Sequence, residues 1–261
     1  MNVTISALTS TYPEARAALA GGVRENKVPV LARGGTVHPF DRQLAGLLAP
    51  GMPVEIYGAD LATSTEGTFV PLPPIFKGSN VLIGPYDAPL YFVTPGQLNA
   101  QMPFELTPGR SYPIVVTANG AITIPDQLDV VGVQPGVAAF ADGTLIAQHG
   151  ADYSLVQPSN PAKRGEFLIM YLVGLGVTNP FVSTGAPSPS VLPLGEPTAP
   201  VTLTIDGQPV EVAFAGLTPT GVGLFQINFK VPAGARLNAP LDVVIKQGGY
   251  TAKMTTLTIA Q

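Results

Sequence analysis

Gln97-Leu-Asn-Ala-Gln-Met-Pro103 recurs 129 residues later as Gln226-Ile-Asn-Phe-Lys-Val-Pro232, and this repetition decides the architecture. Other landmarks recur in the same order. Gly51-Met-Pro-Val-Glu-Ile-Tyr57 is answered by Gly165-Glu-Phe-Leu-Ile-Met-Tyr171, each followed four residues on by a leucine, Leu61 and Leu175. Between them lie Val81-Leu-Ile-Gly84 and Val201-Thr-Leu-Thr-Ile-Asp-Gly207. An ordered set of landmarks repeated once predicts two similar domains in tandem.

Around these landmarks the chain reads as β-structure. Val54 and Ile56, and Val81 and Ile83, alternate with polar or small residues. Strands are also expected at 90–93, 97–102, 112–117, 122–124 and 128–133, with Asn119-Gly120 as a tight hairpin turn. A second series is expected at 167–173, 201–205, 211–215, 224–231, 241–246 and 255–259, with turns at Asp206-Gly207 and Gly248-Gly249. The continuous apolar run 167–173 suits a strand covered on both sides. A hairpin about Asp142-Gly143 and a loop at Gln157-Pro-Ser-Asn-Pro161 fall between the series, and 174–200 is a long Pro/Ser/Gly-rich excursion. Short strands at about ten-residue spacing with Gly/Pro punctuation predict β-sandwiches.

The composition agrees. The 261 residues suffice for two cores; 46% are hydrophobic and only 11% charged, and 29 Gly and 28 Pro are spread along the chain. A net charge of -4 without a basic stripe argues against nucleic acid as a partner. Cysteine is absent, which removes disulfides and thiolate chemistry. No apolar run is long enough to span a membrane. The first residues lack the basic and apolar regions of a signal peptide, so an export signal is expected to lie outside this chain. Such a charge-poor, cysteine-free chain suits an extracellular or cell-surface location.

The landmarks Pro95-Gly-Gln-Leu-Asn-Ala-Gln-Met-Pro103, Pro158-Ser-Asn-Pro-Ala-Lys-Arg-Gly165, and Ala215-Gly-Leu-Thr-Pro219 with Gly223-Leu-Phe-Gln-Ile-Asn228 resemble an uncharacterised C-terminal domain family of Solibacter and other Acidobacteria. The resemblance spans about residues 45–261. It implies tandem immunoglobulin-like modules of the IPT/TIG kind at the ends of large exported proteins, with no associated activity. The family's entry segment is replaced here by Arg33-Gly-Gly-Thr-Val-His-Pro39, so residues 1–44 lie outside it.

The expected fold is therefore all-β: two tandem immunoglobulin-like β-sandwiches with a short N-terminal extension. The expected divisions are an extension over 1–44, a first sandwich over 45–134, a connecting hairpin and loop over 135–164, and a second sandwich over 165–261. Within the extension, 3–6 reads as a short strand and Tyr12 to Ala20 as a helix opened by Pro13 and closed by Gly21-Gly22. Val28 to Leu31 reads as extended, and 40–48 as a helical turn. The extension is either a cap, or the tail of a preceding domain, or an arm that pairs with a neighbour's sheet edge.

Chemistry is sparse. Ser154, His149 and Asp152 could be assembled into a triad, but they sit on one loop and no Gly-x-Ser-x-Gly elbow exists. Two histidines, His38 and His149, without cysteine exclude the usual zinc sites. A structural calcium stays open, with Asp126, Asp129, Asp142, Asp152 and Asp206 in or near loops, although turn chemistry accounts for Asp142 and Asp206. Gly174/Gly176 and Gly221/Gly223 read as turns or close packing rather than phosphate loops. Gln97, Asn99, Gln226 and Asn228, polar and repeated, could bind a ligand, but they lie on the strand face opposite the core, where their amides are expected to bond neighbouring loop backbone. Tyr57, Tyr86, Tyr91, Phe92, Tyr112, Tyr153 and Tyr171 read as core aromatics, or as a sugar platform that lacks tryptophan.

No catalytic, cofactor-binding or metal-binding residue is assigned. The expected function is a non-enzymatic extracellular structural or adhesive module that assembles through sheet edges and the N-terminal arm. The alternative is a polysaccharide- or protein-binding module of a bacterial surface protein. Expected partners are further copies of the chain, another surface protein or a polysaccharide.

Overall fold

The computed structural model describes residues 28–44 and 46–260; the strand expected at 3–6 and the helix at 12–20 lie outside the described residues. Among the described residues there is no helix; every regular element is a strand. The chain folds as two immunoglobulin-like β-sandwiches, each with its own apolar core.

In the first sandwich, one sheet orders the strands Val30–Val37, Pro53–Ala59, Gln97–Gln101, Leu90–Val93 and Glu66–Gly67. The facing sheet orders Leu47–Leu48, Asp126–Val130, Arg110–Ala118, Ser79–Ile83 and Ile75–Phe76. The second sandwich repeats this plan. One sheet runs Gly136–Val137, Phe167–Val173, Phe225–Lys230 and Val212–Leu217, with Ala147–His149 also on Phe167–Val173. The other runs Ala162–Lys163, Thr255–Ala260, Pro240–Gln247, Val201–Ile205 and Gln208–Pro209. Even the parallel edge pair recurs, Leu47–Leu48 on Asp126–Val130 and Ala162–Lys163 on Thr255–Ala260.

Alternation sets which residues form the cores. Val54, Ile56, Leu98 and Ala100 from one sheet meet Val81, Ile83, Ile114 and Val116 from the other. In the second copy Leu168, Met170, Ile227 and Phe229 meet Leu203, Ile205, Val243 and Ile245. At about 25 cal/mol per Å² of apolar surface removed from water, each of these side chains other than Ala100 contributes about 1.5–3 kcal/mol. The run 167–173 is covered on both sides at Leu168, Ile169 and Met170, while Phe167 remains exposed.

Three of the four anticipated hairpin turns form with both central residues at positive φ: Asn119-Gly120 (55° and 75°), Asp206-Gly207 (52° and 76°) and Gly248-Gly249 (55° and 84°). That twist matches the strands they join. The helical turn expected over 40–48 is replaced by a single turn, in which the Leu44 N–H donates to the Asp41 carbonyl at 3.0 Å. Gly46, at φ 69°, then sends its N–H to the Thr36 carbonyl, and Leu47–Leu48 leaves as a strand. Residues 30–37, expected within the extension, belong to the first sandwich as a strand on Pro53–Ala59.

The two sandwiches share a seam. Val173 and Leu224, from the second, pack into the first core. Val133 and Gln134, between the strands Asp126–Val130 and Gly136–Val137, are buried, and the Gln134 N–H donates to the Gly174 carbonyl at 2.7 Å. Part of the 174–200 excursion is seated on the first sandwich. The Leu72 N–H donates to the Gly185 carbonyl (2.8 Å), the Phe104 N–H to Thr184 Oγ1 (2.9 Å), and Thr184 Oγ1 to Glu105 Oε2 (2.6 Å). Gln101, fully buried, accepts the Gly185 N–H (2.6 Å) and donates to the Gly51 carbonyl (3.1 Å). Tyr91 reaches across from the first sandwich to the Val222 carbonyl at 3.0 Å. Burial pushes its phenol well above the ordinary tyrosine value.

Candidate functional site

His149, Ser154 and Asp152 come together without forming a triad. Ser154 Oγ donates to Asp152 Oδ1 at 2.7 Å, and the Ser154 N–H bonds the same oxygen, so the aspartate closes a turn. Both ring nitrogens of His149 face acceptors, Glu166 Oε2 at 2.9 Å and the Asn160 carbonyl at 3.2 Å. Burial opposes the imidazolium, but the Glu166 carboxylate, the Asn160 carbonyl and the Asp152 charge outweigh it and hold His149 above the ordinary histidine value. A ring donating from both nitrogens has no lone pair with which to accept a proton from serine.

His38 is the opposite case. It is fully buried; Nδ1 accepts the N–H groups of Phe40 (3.0 Å) and Asp41 (3.1 Å), and Nε2 donates to the Gln134 carbonyl at 3.2 Å. That pattern fixes one neutral tautomer. Burial lowers its pKa, partly offset by the Gln134 carbonyl and the Asp41 charge. His38 therefore holds the connecting segment against the first sandwich.

The candidate calcium aspartates are dispersed. Asp126 accepts the Gly34 N–H at 2.7 Å, Asp129 bonds Ser111 Oγ, Asp142 accepts the Thr144 N–H at 2.9 Å, and Asp206 pairs with Arg236 through two bonds of 2.7 Å. No group of three or more His, Cys, Asp or Glu suited to a metal occurs among the described residues. Gly174, Gly176 and Gly223 serve the seam, whereas Gly221 packs on Thr218 of its own turn. A Cβ on Gly174 would meet the Gln134 carbonyl oxygen at 1.9 Å, on Gly176 the Gly132 oxygen at 2.4 Å, and on Gly223 the Gly51 oxygen at 2.3 Å.

The amide pairs take a different arrangement from the one expected. Instead of bonding loop backbone, Gln97 Nε2 donates to Asn99 Oδ1 (2.7 Å), and Gln226 Nε2 donates to Asn228 Oδ1 (3.1 Å). Register places the same aromatics beside both pairs. Tyr57 is opposite Gln97 and Phe92 opposite Asn99; Tyr171 is opposite Gln226 and Phe214 opposite Asn228. These eight residues are half-buried on the outward faces of equivalent sheets. None of the seven aromatics read as core residues is fully buried; among the described residues the fully buried phenyl rings are Phe225 and Phe229.

Each outward face has its own surroundings. On the first, Tyr57 Oη donates to Glu55 Oε2 (2.6 Å), and the Arg42 guanidinium pairs with Glu55 (3.1 Å) and lies 5.7 Å from the Tyr57 ring centre. On the second, Tyr171 Oη donates to Gln148 Oε1 (2.6 Å), whose Nε2 donates to the Tyr153 carbonyl (2.8 Å). A Cβ on Gly216 would meet Phe214 Cζ at 2.5 Å, so the Phe214 ring lies over bare backbone. Tyr153 is 65% exposed and Phe167 44% exposed.

No family model matches the chain, and no curated protein matches it. Among solved structures, domains 5-6 of the S-layer protein SbsC are similar over 89% of this chain and 99% of that chain, at 12% sequence identity and a TM-score of 0.28. A superposition that loose adds nothing to the strand order described above.

Proposed function

We propose that the chain is a non-enzymatic structural module of a bacterial cell surface, working as a preassembled pair of sandwiches within an exported protein. The observation that carries this reading is the seam. A connection of buried backbone, a loop seated on the neighbouring sandwich and second-sandwich side chains packed into the first core form an extended contact, where freely jointed domains have an exposed linker. The charge-poor, cysteine-free composition and the resemblance of residues 45–261 to modules of exported acidobacterial proteins support the location. Assembly with further copies through sheet edges belongs to the same reading, since a chain with 11% charged residues has few of the edge charges that block strand pairing. Light scattering after size exclusion, with negative-stain microscopy from micromolar to millimolar protein, tests assembly. Ordered oligomers or filaments are expected with or without calcium; a monomer throughout contradicts it.

A further inference from the structure

We propose that the duplicated outward faces bind a neutral polysaccharide, with the face of the second sandwich as the principal site. The first reason is what the two copies keep. Between the repeated phrases the inward residues differ: Leu98 becomes Ile227, Ala100 becomes Phe229 and Met102 becomes Val231. The outward Gln and Asn are identical, as are the facing tyrosine and phenylalanine on separate strands. Outward positions carry little packing demand. Four identities there, kept while the core and the outward pairs Glu55/Ile169 and Gln101/Lys230 drift, point to a shared task.

The second reason is the chemistry presented. The Gln226–Asn228 bond uses one amide N–H and one carbonyl. Gln226 Oε1, its other N–H and both Asn228 N–H groups make no hydrogen bond among the described residues, leaving adjacent donors and an acceptor on a fixed strand. Neighbouring sugar hydroxyls, each both donor and acceptor, fit that set. Tyr171 and Phe214 flank the amides and offer apolar ring surface to the C–H face of a pyranose. Tyr171 is already held by Gln148, so little ordering remains to be done on binding.

The third reason is charge. The hydrogen-bonded polar side chains of the second face are the amides of Gln226, Asn228 and Gln148 and the phenol of Tyr171, with Lys230 at its margin over Phe167. A neutral hydroxyl-rich chain meets no desolvated charge there. On the first face Arg42 and Glu55 crowd Tyr57, which makes that copy the weaker site. Two sites on one chain favour a polymer over a short sugar, because the second contact is intramolecular.

Affinity electrophoresis tests this through gels containing hydroxyethylcellulose, laminarin, xylan or galactomannan, with the polyanion alginate as control. At least one neutral polymer should retard the native chain while alginate does not. Tyr171→Ala with Gln226→Ala should weaken retardation at least tenfold at an unchanged melting temperature, and adding Tyr57→Ala with Gln97→Ala should abolish it. If the alanine variants melt early, the near-isosteric Gln226→Glu places a charge on the same spot and should still cost at least tenfold. No retardation by any neutral polymer, retardation by alginate alone, or native binding by the folded variants would overturn the proposal and leave the faces as sheet-stabilising surface.

Discussion

At the scale of single residues, the two histidines differ in state because their partners differ. His38 has one acceptor and two donors around it in a buried site, whereas His149 has two acceptors. The folded pKa of His38 lies below the unfolded value of about 6.5, so its contribution to stability is complete above that pH and is lost as pH falls through the folded value. For His149 the folded pKa lies above about 6.5; its contribution is complete below that pH and is lost as pH rises through the folded value. Imidazole NMR should show two midpoints, one on each side of about 6.5, with His149→Gln deleting the upper one. Two midpoints on the same side would contradict this assignment. Gln101 makes a second case. Gln101→Leu strands the Gly185 N–H and the Gly51 carbonyl in a buried seam and should cost about 2–4 kcal/mol, lowering the melting temperature by roughly 5–12 °C. An unchanged melting temperature would show that the two backbone groups find other partners. The sequence hid this role in plain view: Gln101 occupies the place in the repeated phrase where the second copy has the exposed Lys230. Only the fold brings Gly185, 84 residues away, onto the first copy's glutamine.

At the scale of elements, strands were legible where a period of two meets turn chemistry. Phe167–Val173 and Val201–Ile205 match their expected bounds, and Asn-Gly, Asp-Gly and Gly-Gly mark real hairpins. What could not be read was what irregular segments pack against. The 174–200 excursion looks like surface loop in composition, yet Thr184 and Gly185 are fixed on the first sandwich. The Gln–Asn pairs were placed on the correct face, but an amide's partner depends on side-chain geometry that periodicity does not contain. Glycine substitutions separate turn strain from close packing. Gly120→Ala, at φ 75° with nothing within 4 Å of the added methyl, should cost about 1–2 kcal/mol. Gly174→Ala adds to a similar φ of 78° a methyl 1.9 Å from the Gln134 oxygen and should exceed about 4 kcal/mol. Urea denaturation compares the two; equal costs would mean that the seam yields at no penalty.

At the scale of the whole molecule, the duplication was legible because ordered landmarks survive divergence, and the same strand order appears in both copies. The seam was not, because its contacts join Leu72, Tyr91, Gln101, Phe104 and Glu105 to Thr184, Gly185 and Val222 across the duplication and set Val173 and Leu224 in the first core. Its consequence is coupling. Tandem domains on an exposed linker melt independently, whereas two sandwiches joined by second-sandwich side chains packed into the first core and by buried hydrogen bonds lose stability together. Differential scanning calorimetry tests that claim most directly. The account predicts one transition with equal calorimetric and van't Hoff enthalpies, split into two by Gln101→Leu combined with Thr184→Val. Two separate transitions in the native chain would contradict it and leave a pair of independent sandwiches.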